Sequence, residues 1–280
     1  RDPALLSYNV NRWFQKEPEQ KLLRTMDGKA RAFLSNRYRR IDNLDIARVV
    51  LPIIGEMDGA RFESCEITDD RMYLKVVNPR LQAEVIPGDI VQAGIMISNS
   101  ETGLGAVNIQ PLIYRLVCSN GMVVNEAGTR RAHIGRVNTT DVNFALYSQQ
   151  TLDAEDRAFV LKIQDTVRAA VDEARFSTVL DRMRESKQAQ LNTQDLPGLV
   201  KLAGSSFGIL EEEGKGVLQH LIEAGDFTLY GLANAVTRFS QDVESYDRAT
   251  KLEEIGYSVM TMSPLLFQKI NQTQVTKLAA

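Results

Sequence analysis

Basic side chains cluster at four places in the 280-residue chain, three of them with aromatic neighbours: Arg12, Trp13 and Phe14; Arg37, Tyr38, Arg39 and Arg40; Tyr114 and Arg115; and, without an aromatic, Arg130, Arg131 and Arg136. Guanidinium groups bridge phosphates and aromatic faces stack on unpaired bases, in a mode that tolerates any base sequence because every base has a π-face. The pattern points to nucleic acid, single-stranded DNA first. Arg37, Arg39, Arg40, Arg115, Arg130, Arg131 and Arg136 are the candidate phosphate contacts, and Trp13, Tyr38 and Tyr114 the candidate stacking residues. The same residues fit a second account, in which Trp13, Phe14 and Tyr38 are core and the Arg37–Arg40 cluster pairs with the acidic segment that follows.

Other chemistries find less support. His133 and His220 are far apart and neither stands in HExxH or CxxC spacing, so no metal-ligand set is legible. Two cysteines, Cys65 and Cys118, are too few for a disulfide framework and suit a reducing interior. Cys118, within YRLVCSN, reads as a small buried hydrophobe. The single GxG of Gly103–Gly105 lacks the context of a phosphate-binding loop and reads as a hairpin turn. Glu63, Glu66, Asp69 and Asp70, with Lys75 on the next strand, loosely resemble a metal-dependent nuclease, but their spacing matches no two-metal pattern. A hydrolase using Glu63, Glu66 and Asp69 is the minor alternative to a protein without catalytic residues, cofactor or metal.

The composition, 44% hydrophobic and 25% charged, is that of a chain able to bury a real core. No stretch of about 18 apolar residues is present, so no membrane helix is expected and the cytoplasm is the expected setting. The chain begins at Arg1, which leaves a preceding targeting segment open. Charge is uneven: residues 1–40 hold ten Lys/Arg against four Asp/Glu, 41–100 five against ten, 101–140 four against two, and 141–280 fourteen against twenty. Such a division suits either a local anion-binding stripe or complementary faces for self-association, and a homo-oligomer is expected.

These side chains need elements to hold them. Residues 1–42 read as a partly extended arm with a short strand near Arg31–Ser35. The spacing of Leu44, Ala47, Val50, Leu51 and Ile54 after Asp42–Asn43 predicts a helix over 43–57, with Pro52 inside it. ARFESCEI and RMYLKVV alternate around Thr68–Asp70 as a hairpin. DIVQAGIMISNS reads as a half-buried strand with Val91, Ala93, Ile95 and Ile97 inward. Ala106–Ser119 is the next strand, and Asn120–Gly121 a tight turn into Met122–Val124. Residues 60–125 thus make an antiparallel sheet of about five strands, followed by a polar, glycine-punctuated loop or ragged strand over 126–138. Beyond Asn143 the pattern is helical: Leu152–Gln190 as one helix or two broken near Phe176–Ser177, then Leu196–Ala203, Glu211–Ala224 closed by Gly225, and a run from Leu232 to Tyr246. A strand-like piece, YSVMTMSPLLF, follows Gly256. The fold class is α+β: an antiparallel, hairpin-rich sheet with flanking helices, divided into the arm (1–42), the sheet core (43–145) and a helical carboxy-terminal subdomain (146–280).

Three stretches, RAFLSNRYRRIDN at 31–43, GDIVQAGIMISNSETGLGAVNIQPLIYRLVCSNGM at 88–122 and LYGLANAVTRFSQDVESYDRATKLEEIG at 229–256, resemble the phage/plasmid-like protein family. That family is defined by a conserved domain of unknown function and is found in bacteriophages, plasmids and prophages. The resemblance implies a mobile-element protein of the bacterial cytoplasm and carries no catalytic residue with it. The order of helix, two hairpins and long helix is similar to the core of single-strand annealing proteins, an analogy of fold alone. The expected function is non-enzymatic nucleic-acid binding by an oligomer, in strand annealing or recombination. The alternative is a self-assembling structural or host-interaction protein that binds no DNA.

Overall fold

The computed structural model describes residues 2–16, 21–35, 38–125, 129–131, 148–193 and 195–272. The amino-terminal segment is helical where an extended arm is expected: α1 spans Pro3–Lys16. A hairpin of β1 (Lys21–Met26) and β2 (Lys29–Ser35) follows, turning at Asp27 and Gly28, both with positive φ. The expected strand at Arg31–Ser35 is the second half of this hairpin. α2 (Asn43–Glu56) starts where its sequence signal lies, with the Asp45 carboxylate accepting from the Asp42 N–H at 3.3 Å.

The main sheet holds β3 (Arg61–Ile67), β4 (Met72–Glu84), β5 (Ile90–Asn99), β6 (Val107–Arg115) and β7 (Asn120–Val123) in that order, all antiparallel. A short β8 (Thr129–Arg131) pairs with the opposite end of β6. The strand after the second hairpin differs from its expectation. β6 stops at Arg115, the chain turns through residues 116–119 with Ser119 at φ 50°, and Asn120 and Gly121 are already paired in β7. Tertiary contacts explain the shift. The Asn120 amide donates to Thr237, and at Gly121 a Cβ would come within 3.3 Å of the Glu253 carboxylate.

β5 is buried on both faces, where alternation predicts one. Gln92, Met96 and Ser98 are as enclosed as Val91, Ile95 and Ile97, because helices cover both sides of the sheet. Ile46, Val50 and Ile53 of α2, with Ile163 and Val167 of α3 (Gln149–Ala170), pack on Leu74, Val76, Ile95, Ile97 and Ile109. α4 (Glu173–Gln188) extends that cover, setting Phe176 and Met183 against Val91, Ala93 and Ile113. Burying each such Ile, Leu or Val contributes about 2 kcal/mol. The helix pair breaks at Val171–Asp172 rather than at Phe176–Ser177, since the Asp172 carboxylate caps α4 by accepting from the Arg175 N–H.

α5 (Leu196–Phe207), α6 (Glu211–Ala224) and α7 (Leu229–Phe239) complete this core. A 3-10 turn, Ser240–Asp242, interrupts the expected run into Tyr246. α8 (Tyr246–Met260) crosses the opposite sheet face, where Tyr246 joins Tyr73, Val77, Met96, Leu112 and Tyr114. The strand-like piece after Gly256 is the last turn of α8 followed by α9 (Pro264–Asn271). Gly256 sits inside the helix because a Cβ there would collide with Thr237 and approach the Ala233 carbonyl.

Candidate functional site

Side chains alternate across a strand, so residues paired in register point to one face together. The pairs Glu66↔Tyr73, Tyr73↔Ser98, Ser98↔Asn108 and Asn108↔Arg130 set five strands' side chains in one row on the face that α8 crosses. At about 4.8 Å between strands the row is about 19 Å long. The next row holds Ser64, Lys75, Met96 and Gln110. Over these rows α8 lays Asp247, Thr250, Lys251 and Glu254, a spacing that places all four on one helix face. Between sheet and helix is a solvent-open groove of about 530 Å³, also lined by Arg71, Asn125 and the loop Leu104–Ala106.

The groove is polar and mostly built from fixed groups. The Tyr73 hydroxyl donates to Asp247 and accepts from Arg71 Nη1 at 3.3 Å. Burial, and after it the bond to Asp247, pushes the Tyr73 phenol up to about 12. Arg71 Nη2 donates to the Leu104 carbonyl at 2.6 Å, which ties the loop to β4. Gln110 Nε2 donates to Asn125 Oδ1 at 3.2 Å, and Asn125 Nδ2 donates to the Glu254 carbonyl and Ser258 Oγ at 3.2 and 3.1 Å. Lys251 pairs with Glu254 at 2.7 Å. Thr250 is buried, and its Oγ1 has no partner among the described residues. Arg130 is exposed and, among the described residues, has no carboxylate partner. Three cations thus face two carboxylates, both already engaged.

Deeper between sheet and helix, Lys75 donates to Glu253 at 2.7 Å with its ammonium 5.1 Å from the Tyr246 ring centroid. The Tyr246 hydroxyl lies 2.6 Å from Ser64 Oγ. Burial raises the Glu253 pKa against the opposing pull of Lys75. This buried pair fixes α8 on the sheet and so sets the groove's width.

Of the residues singled out in the sequence, Arg130 lies in the groove. Arg131 follows it in β8, its backbone paired with Val107. Arg37 and Arg136 lie outside the described residues. Arg115 is turned inward, its Nε and Nη2 on the two Asp89 carboxylate oxygens at 2.6 and 2.9 Å. Tyr114 is buried and donates to Glu63 at 2.5 Å. Tyr38 donates to the Ser100 carbonyl at 3.1 Å, and burial pushes its phenol up to about 12. Arg39 pairs with Asp156, and Arg40, exposed, with Asp42 at 3.2 Å. Trp13 is half exposed on α1, with the Lys21 ammonium 5.9 Å from its ring. Those of the ten whose side chains are described therefore do not converge on one place. Glu63 is held by Tyr114, and the Asp69 carbonyl accepts from Arg31. Among the described residues no group of three or more His, Cys, Asp or Glu is placed to hold a metal ion.

Sequence reasoning passed over Arg71, Tyr73, Asn108, Gln110, Asn125, Thr250 and Lys251. The signal was there in β6: Asn108 and Gln110 alternate with Val107 and Ile109, and polar residues in a strand this apolar mark a face with something polar to meet.

Among the described residues the sheet is covered by helices on both faces, with a polar groove beside α8. The chain belongs to the family described as a domain of unknown function, DUF932, whose model matches residues 32–263. That span takes in the main sheet, the groove and α8, and leaves α1 and β1 outside. No curated protein and no solved structure matches the chain. Among the described residues no helix is long and apolar enough to cross a membrane.

Proposed function

We propose that the protein binds single-stranded nucleic acid in the groove between the sheet and α8, and does no chemistry on it. The observation that carries the reading is Arg130, an exposed guanidinium at the end of a row of hydrogen-bonding side chains on a face of the sheet that is otherwise packed. A guanidinium takes a phosphate, and the amide of Asn108 and the carbonyl end of the Gln110 amide match the donors and acceptors on base edges. A duplex spends the Watson–Crick edges on its own base pairs, so a splayed single strand is the form that fits. The groove's volume falls within the range of small-ligand sites and admits an unstacked nucleotide. The three stretches that resemble phage and plasmid proteins support a mobile-element setting in a bacterial cytoplasm, with DNA as the strand and annealing or recombination as the use.

The balance of charge sets the expected strength. With Arg71, Lys251 and Arg130 against Asp247 and Glu254, few phosphates are neutralised, and base contacts supply much of the affinity. Each phosphate neutralised on a single strand contributes about −0.7 to the slope of log affinity on log salt, so with one cation in excess a slope of about −0.7 is expected. Fluorescence anisotropy with labelled single-stranded and duplex oligonucleotides of one sequence, across a salt series, tests this. Tighter binding of the single strand with a shallow negative slope is the expected result. Equal affinity for duplex, or no binding at low salt, overturns the reading.

A further inference from the structure

An amide side chain offers a donor at one end and an acceptor at the other in nearly the same outline, so its partners decide which end faces where. Beside the groove a series of such partners starts at the Glu254 carbonyl of α8, which can only accept. Ser258 Oγ donates to that carbonyl at 3.1 Å and has no second hydrogen to give. Asn125 therefore meets two acceptors, and its Nδ2 donates to both, at 3.2 Å to the Glu254 carbonyl and 3.1 Å to Ser258 Oγ. This turns Asn125 Oδ1 toward Gln110, where it accepts from Nε2 at 3.2 Å. Gln110 Oε1 is what remains. It is a carbonyl oxygen on a half-buried residue lining the groove, not sealed from solvent, and it accepts from no group among the described residues. Two amides in series thus carry the polarity of a helix carbonyl into the groove.

Asn108, two positions earlier on the same face of β6, is not held in this way. Its amide has no side-chain partner among the described residues, so it presents either end to a base. Gln110 has no such freedom, because turning its amide over would set its own carbonyl oxygen against Asn125 Oδ1. On the reading that a splayed single strand lies in the groove, we infer that Gln110 selects bases that carry an exocyclic amino group. Cytosine and adenine each offer an amino donor beside a ring nitrogen that accepts, and guanine offers an amino group beside a ring N–H. Each gives the Gln110 carbonyl a donor. Thymine and uracil offer one ring N–H flanked by two keto oxygens, so the fixed carbonyl meets oxygen on either side of it. An acceptor taken from water and left without a donor costs more than the hydrogen bond would have contributed. Arg130 is indifferent to the base, since the phosphate is the same in every nucleotide.

The probes are two labelled single strands on the same deoxyribose backbone, one a run of cytosines and one a run of uracils, which differ only in amino against keto at one ring edge. Fluorescence anisotropy on the full chain, in slightly alkaline buffer of low salt where cytosine carries no extra proton, gives the ratio of the two affinities. The wild type is expected to bind the cytosine run about tenfold more tightly. Gln110→Met keeps the length of the side chain and removes its carbonyl, and the ratio should fall to about one. Asn125→Ala, at an exposed position, leaves Gln110 in place but free to turn, and the ratio should fall below about threefold. A merely structural role for either residue would weaken both runs alike and leave the ratio where it was. Equal binding of the two runs by the wild type, a preference for uracil, or a preference for cytosine that persists undiminished in either variant overturns the inference while single-strand binding stands. Should Gln110→Met bind neither run, the ratio in Asn125→Ala decides. A wild type that binds neither run overturns the single-strand reading itself.

Discussion

Arg115 and Arg130 carry the same guanidinium from neighbouring strands into opposite surroundings. Arg115 forks onto Asp89, whose side chain is 5% exposed and also accepts from Tyr230 at 2.9 Å. Arg130 meets solvent at the groove's end. Removing one member of a buried pair leaves the other charged and underpaired, which costs more than the pair contributed. Arg115→Ala is therefore expected to lower stability by about 3 kcal/mol in urea unfolding. Its affinity for a single strand, measured where the variant is folded, should stay within about twofold of wild type, less than 0.5 kcal/mol. The phenols give a second prediction at this scale. Tyr38, Tyr73, Tyr114 and Tyr230 are all raised, first by burial, and Tyr38 and Tyr73 reach about 12. An unfolded phenol ionises near 10, so between about pH 10 and 12 the unfolded chain gives up protons the folded one keeps. Stability is whole below pH 10 and falls as pH rises through that window. In a spectrophotometric titration Tyr38, Tyr73, Tyr114 and Tyr230 should ionise late and together with loss of structure; their ionising near pH 10 with the fold intact would contradict this. Residue type was legible in the sequence at both arginines, but Asp89 stands 26 positions from Arg115 and no local signal ties them.

Elements were legible where short-range chemistry decides them. The start of α2 at Asp42–Asn43, the β3–β4 turn at Thr68–Asp70 and the end of α6 at Gly225, with φ 63°, all follow from caps and turns within a few residues. They were misread where a distant neighbour decides. Asn120–Gly121 has the composition of a tight turn but is held in β7 by Thr237 and by the approach of Glu253. Gly256 has the look of a helix end and instead lets α8 lie close on α7 at Ala233 and Thr237. A branched side chain there must push the two helices apart. Gly256→Val is expected to cost about 2 kcal/mol in urea unfolding, and because α8 carries one wall of the groove, to weaken strand binding as well. Gly225→Ala, at a cap with open space around it, should lose only the strain of its positive φ, about 1 kcal/mol. A reversed ranking of these two variants would contradict the packing assigned to Gly256.

At the scale of the molecule, the groove exists because register aligns Tyr73, Ser98, Asn108 and Arg130, which lie as far apart as 57 positions, and because α8 returns over them from more than a hundred positions further on. Alternation within one strand is local, whereas alignment between strands is set by bulges and turns, such as the register shift between Phe62 and Ser64. The face was therefore legible and the row was not. On the proposed function the strand lies at Arg130 in particular and is not held by every exposed cation alike. Arg130→Glu and Arg40→Glu change the net charge equally, and both side chains are exposed. Anisotropy with one labelled single strand at one salt concentration should show Arg130→Glu weakened at least about tenfold, or about 1.4 kcal/mol, with Arg40→Glu within about twofold of wild type. Equal weakening in both, or none at Arg130, would contradict the account.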